Sequence, residues 1–210
     1  MIGEFDSLLR VVAIGAWLVL LAQYAGIAMR AELRLPLALI ALANIAGMLA
    51  GGGLLLAASA GESAVLALAA FAPFAAWLAV LRLIGQGPEL RTAIVAALAV
   101  AATWATARYA GPAGEPAFYA LRVLSFLLAA DILRAAIVGR ARDHVPERRA
   151  LRGWLAPLAA MQAGLPVLVE MIAGTAMLPA SFSLAQAALT MALAVMLALA
   201  LFTPERVLLD

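Results

Sequence analysis

The chain has 210 residues, 67% of them apolar and only 12% charged, with a mean hydropathy of +1.06. A soluble domain is about a quarter charged, so this sequence has too little polar surface to face water on all sides. A formal net charge of +2 does not mark a nucleic-acid binder, the absence of cysteine excludes disulfides and thiolate metal sites, and the single histidine, His144, leaves no histidine-based metal centre.

Composition therefore predicts an all-α, polytopic membrane helix bundle. A helix crosses the hydrocarbon core with about 20 mainly apolar residues, and that ruler marks seven segments. The first, Ser7–Met29, follows the acidic MIGEFD and lacks a small-residue cleavage site, so it reads as a retained helix rather than a signal peptide. The second, Leu35–Ser59, carries Asn44 and a Gly47 to Gly51 GxxxG spacing, which suits internal packing or a homodimer seam. The third, Ser63–Leu83, holds Pro73, where a kink is expected. The fourth, Thr92–Tyr109, is alanine-rich and ends near Arg108. The fifth, Ala117–Val138, contains Arg122, Asp131 and Arg134. The sixth, Trp154–Met177, contains Gln162, Pro166 and Glu170, and the seventh, Phe182–Phe202, contains Gln186. The junctions RAELRLP, AGES, GQGPELR, AGPAGEP and LPAS carry turn chemistry. No domain boundary is visible: residues 1–203 read as one transmembrane domain. Residues 204–210 read as a cytoplasmic tail, or the start of a linker to an output domain absent from this chain.

Arginine placement predicts the orientation. With the N-terminus outside, eleven arginines (Arg30, Arg34, Arg82, Arg91, Arg134 through Arg152, and Arg206) fall on the cytoplasmic side and two, Arg10 and Arg108, outside. That asymmetry obeys the positive-inside rule and predicts N-out/C-in.

Ionisable groups at membrane depth are costly and invite functional readings. At a rise of ~1.5 Å per residue, Arg122 and Glu170 both lie roughly 8–10 Å below the outer edge of adjacent antiparallel helices. They are expected either to pin the two helices together or to line an outward-facing pocket for an anionic or zwitterionic ligand, with Gln186 nearby. Asp131 and Arg134, spaced i, i+3, can neutralise each other. Gln23, Asn44 and Gln162 fall at similar depths and could join Asp131 in a polar network, or act singly as interhelical glue. Pro166 frees the carbonyl of Gln162 and makes a hinge between Gln162 and Glu170.

Enzymatic signatures are missing. The only histidine lies in a loop, no aspartate pair faces across two helices, no phosphate-cradling glycine loop or metal cluster occurs, and no cofactor is expected. A retinal protein needs a Schiff-base lysine, and the chain has none.

The stretch GRARDHVPERRALRGWL owes its positive charge to topology. From Pro146 it should continue as a helix, with Pro146 at the first helical position and Glu147 in the first turn. Asp143, Arg148, Arg149 and Arg152 would then meet anionic lipid headgroups or an output domain. Three stretches resemble one bacterial family: FAPFAAWLAVLRLIGQGPEL, LRVLSFLLAADILRAAIVGRARDHVPERRALR, and the sixth span with Glu170. This region, Phe71 to Met177, resembles the membrane-embedded N-terminal domain of AraC-type transcriptional regulators, whose helix-turn-helix module follows a multi-span membrane region. The resemblance implies a sensor that relays ligand or envelope state to a cytoplasmic DNA-binding output. No segment of this chain is expected to bind nucleic acid directly. The alternatives are a small proton-coupled carrier using Asp131 and Glu170, or a non-catalytic membrane assembly subunit.

Overall fold

The computed structural model describes residues 2–26, 31–51, 60–140, 143–144, 146–173 and 180–202. The described residues form eight α-helices: α1 (Ile2–Gly26), α2 (Ala31–Gly51), α3 (Ala60–Ala70), α4 (Ala72–Leu83), α5 (Leu90–Tyr109), α6 (Gly114–Arg140), α7 (Pro146–Ala173) and α8 (Ala180–Phe202). One 3-10 turn, Gly111–Ala113, joins α5 to α6.

The sequence boundaries hold to within a few residues where the chain is described. The ends expected at Met29, Ser59 and Met177 lie outside the described residues. Pro146 does open a helix, and that helix runs without a break through the sixth expected span. The third expected span is two helices. Pro73 has no N–H to give the preceding turn and its ring crowds the carbonyl of Ala69, so the chain breaks at Phe71 and α3 meets α4 at 45°.

Five helices are long and apolar enough to cross a membrane: α1, α2, α5, α7 and α8; the bent pair α3–α4 makes a sixth candidate. Helix α6 lies outside that count; its 27 residues include Arg122, Asp131 and Arg134. The protein is thus a multi-pass helical membrane protein by length and hydropathy.

Side-chain contacts show that the helices run up and down between two ends. Arg10 near the start of α1 touches Met48 near the end of α2 and Ser183 near the start of α8. At the other end, Arg152 near the start of α7 reaches Ile84 after α4 and Ala135 late in α6. Arg82 of α4 pairs there with Glu32 of α2 at 3.5 Å.

Helix α4 is the hub. Nine of its twelve residues are buried, and it packs against α2, α6 and α7. Within lipid no hydrophobic force draws helices together, so association depends on close packing, which small residues permit. Ala75, Ala76 and Ala79 of α4 supply them, with Ala156, Ala159, Ala160 and Ala163 of α7, all buried. Around them Trp17, Leu37, Ile40, Val80, Ile132, Leu155, Leu193 and Leu197 fill the core with no exposed surface. Helix α5 sits at the periphery on α6, with only Ala93 and Val100 buried. Within the chain, Gly51 of the GxxxG spacing lets the Arg10 guanidinium of α1 come close, whereas a side chain at Gly47 would meet open space.

Candidate functional site

The 45° break at Phe71 has a spatial result. It tilts α3 out of line with α4 at the end where α1 and α8 begin. A cavity of about 510 Å³ lies there, enclosed by α2 through α8. Alanine, glycine, leucine and methionine residues make half of its wall. Trp104 of α5 and Phe118 of α6 add aromatic surface, and Arg108, Arg122 and Glu170 supply the charge.

Five of the sequence-derived candidates line this one cavity: Arg122, Glu170, Gln186, Gln162 and Pro166. Arg122 Nη2 lies 2.5 Å from Glu170 Oε2, so the expected pair between α6 and α7 is formed. The Arg122 guanidinium also sits 4.7 Å from the centre of the Phe118 ring, where the ring's negative face favours a cation. Both charged side chains remain partly accessible, at 27% and 18%.

A buried amide cluster sits deeper on the same helix. Gln162 Nε2 donates to Asn44 Oδ1 at 2.9 Å and approaches Thr190 Oγ1 at 3.5 Å. Asn44 Nδ2 gives its own proton to the Ile40 carbonyl at 2.8 Å, and Thr190 donates to the Gln186 carbonyl at 2.9 Å. The cluster ties α2, α7 and α8 together. Gln23 is exposed and takes no part in it.

Asp131 belongs elsewhere. It accepts from Trp77 Nε1 at 2.9 Å and pairs with Arg134 at 2.8 Å, on the part of α6 that leads away from the cavity. Of the two arrangements open for Gln162 and Asn44, interhelical glue is the one formed, and no network joins them to Asp131, whose carboxylate accepts from Trp77 of α4 instead.

The arginine loop folds inward at one residue. Arg152 is 6% exposed, and three of its nitrogens are occupied: Nε by Asp143 Oδ2 at 2.9 Å, Nη1 by the Ala135 carbonyl at 2.9 Å, and Nη2 by the Ile84 carbonyl at 2.8 Å. The Ile84 carbonyl is exposed to it by the way α4 ends. Gly85 adopts a positive φ of 72°, and the amide of Gln86 returns to the Leu81 carbonyl at 2.8 Å, a Schellman closure. The Ile84 carbonyl, past the last turn of α4, keeps a partial negative charge that suits a guanidinium, while the Ala135 carbonyl lies inside α6 and takes Arg152 as an added donor. Gly139 makes room for it; any Cβ there would collide with Arg152 Nη1. Arg152 thus faces the bundle and not the headgroups expected for it. Arg149 is exposed and donates to the Asp143 carbonyl at 2.7 Å. The side chain of Arg148 lies outside the described residues.

A further polar centre escaped the sequence reading. Arg10, expected at the outer edge, is 2% exposed; it pairs with Asp6 at 3.1 Å and donates to Ser183 Oγ at 2.6 Å. Ser183 donates in turn to Asp6 Oδ2 at 2.8 Å, closing a ring across α1 and α8. The i, i+4 spacing of Asp6 and Arg10 was a legible signal for half of it. No metal-binding group of three or more candidate ligands occurs among the described residues.

Comparison of the chain with protein-family models, curated proteins and solved structures yields no match in any of the three. The fold and site define a helical multi-pass membrane protein with a largely apolar cavity, carrying a few charged groups, at one end.

Proposed function

We propose that this chain is a signal-input domain: a seven-pass, N-out/C-in bundle of the bacterial inner membrane, with α6 as the seventh pass. A ligand enters the cavity from the outer side, and α7 carries its effect to the cytoplasmic end. One observation supports this reading above the others. Helix α7 lines the cavity through Gln162, Pro166 and Glu170 and, on the same continuous helix, carries Arg152, which holds the ends of α4 and α6. Pro157 lies between Arg152 and Gln162, and Pro166 between Gln162 and Glu170; each removes one backbone hydrogen bond, so α7 has two points where it can bend. Output requires a ligand that binds one bundle state more tightly than another. The resemblance to AraC-type regulators supplies the output class, a cytoplasmic helix-turn-helix module.

The carrier reading fares less well, since Asp131 and Glu170 do not share a cavity. The test uses the absence of native cysteine. Ala150→Cys, at an exposed position near the start of α7, takes one environment-sensitive label. Glu170→Gln should shift that label's emission while membrane insertion stays unchanged. An unshifted label in an inserted variant would sink the coupling. Labelling of Ala150→Cys and of Ala113→Cys with a membrane-impermeant reagent in intact spheroplasts checks the orientation: position 113 should react and position 150 should not.

A further inference from the structure

The charged lining of the cavity does not balance. Arg108 and Arg122 face it against one carboxylate, Glu170, for a net charge of +1. Glu170 is committed to Arg122. Arg108, one residue before the end of α5, is exposed and makes no ion pair among the described residues. The walls around these groups are largely apolar, and Trp104 stands beside the charged mouth. Further in, Gln162 Oε1 is buried and accepts no hydrogen bond among the described residues. Its orientation is set by Asn44 Oδ1, whose need for a donor turns Gln162 Nε2 towards it. Gln162 lies eight residues before Glu170 on α7, roughly 12 Å along the helix axis.

From these features we infer that the cavity takes a monoanionic amphiphile. Its acidic head is held by Arg108 beside the Arg122–Glu170 pair, and its hydrocarbon body runs inward past Trp104 towards Gln162. The inference rests on reading the cavity as the input site and adds the class of ligand. A single negative charge neutralises the lining, and a charge-assisted hydrogen bond to a guanidinium is roughly twice as strong as a neutral one. A neutral chain would leave Arg108 unpaired, and a cationic one would be repelled. A hydroxyl or N–H near the far end of the body would satisfy Gln162 Oε1.

Bromine quenches tryptophan emission on contact, so Trp104 reports occupancy directly. The protein in phosphatidylcholine nanodiscs is titrated with 11-bromoundecanoate, 11-bromoundecanol and 11-bromoundecyl-trimethylammonium, and the Trp104→Phe variant supplies the background. The acid should quench the Trp104-dependent emission saturably, with the alcohol and the ammonium compound at least about tenfold weaker. Arg108→Gln should weaken the acid by a similar factor, whereas Arg108→Lys should retain most of the binding. Butyrate, a short water-soluble acid, should not compete. Equal or tighter binding of the alcohol, no saturable Trp104 quench, an unaffected Arg108→Gln variant, or full competition by butyrate would each overturn the inference. The label at Ala150→Cys is read in the same titration. Saturable binding of the acid with a silent label sinks the signal-input reading and leaves the ligand class standing. A label that responds best to the neutral chain does the opposite.

Discussion

The two ends of the bundle each place an arginine between α6 and α7, and they use it differently. At the loop end, Arg152 is spent on a carboxylate and two main-chain carbonyls, and the helix ends close around it. At the cavity end, Arg122 has one carboxylate and one aromatic face, beside a space of about 510 Å³. A guanidinium bonded to backbone cannot move without unsatisfying the carbonyls it caps. One bonded only to side chains at a cavity wall can exchange partners when a ligand arrives. The loop end is the fixed point of the structure and the cavity end its adjustable part.

Arg152→Met should break the fixed end and be the most damaging change. It removes the buried hydrogen bonds that Arg152 gives to Asp143, Ile84 and Ala135, and removing one partner of a buried pair costs about 3–5 kcal/mol. Unfolding in detergent micelles monitored by tryptophan emission measures the loss. Arg149→Met, three residues earlier on α7 at an exposed site, should change little. Gly139→Ala should follow Arg152→Met in direction, because the added methyl group occupies the guanidinium's place. Equal stabilities for Arg152→Met and Arg149→Met would end the distinction between the two ends.

A smaller loss, about 2 kcal/mol, is expected for Arg10→Met, since hydrogen bonds to a charged group are worth about 1.5–3 kcal/mol. Its partner Asp6 is near the helix start and 16% exposed, so water can reach the carboxylate once the arginine is gone. The same unfolding assay ranks it against Arg152→Met, and a larger loss at Arg10 would move the fixed point to the other end.

The amide cluster comes next. Gln162→Leu removes the donor to Asn44 at a buried position on the cavity wall. Interhelical hydrogen bonds in membranes average about 0.6 kcal/mol and reach about 1.7 kcal/mol. A loss above that range would show that Gln162 also holds the bend at Pro166.

Parts of this arrangement were legible in the sequence. Pro73 announced the break, because a proline in a helix interior always forfeits a hydrogen bond. The depth calculation for Arg122 and Glu170 found the pair, because antiparallel helices of similar length bring equal depths together. Arg152 was not legible. Its partners are backbone carbonyls of Ile84 and Ala135, which have no signature in a residue list, and its charge was already explained by the orientation rule. Asp131 misled for the opposite reason: a carboxylate at depth advertises a partner without naming it, and Trp77 is an apolar residue in any composition count. The cavity itself followed from the break angle, which proline position alone does not specify.

Glu170→Gln probes the adjustable end and should cost least, at most about 1 kcal/mol. The neutral amide oxygen can still accept from Arg122, and the arginine keeps its place over Phe118. With 27% of its side chain accessible, Arg122 can also turn its charge towards the cavity mouth and water. The variant removes the one carboxylate among the described lining residues, so their net charge rises from +1 to +2. Binding of 11-bromoundecanoate should therefore hold or tighten even as the neutral alcohol is unaffected. A protein that unfolds as readily with Glu170→Gln as with Arg152→Met would make the Arg122–Glu170 pair a structural pin like its counterpart at the loop end.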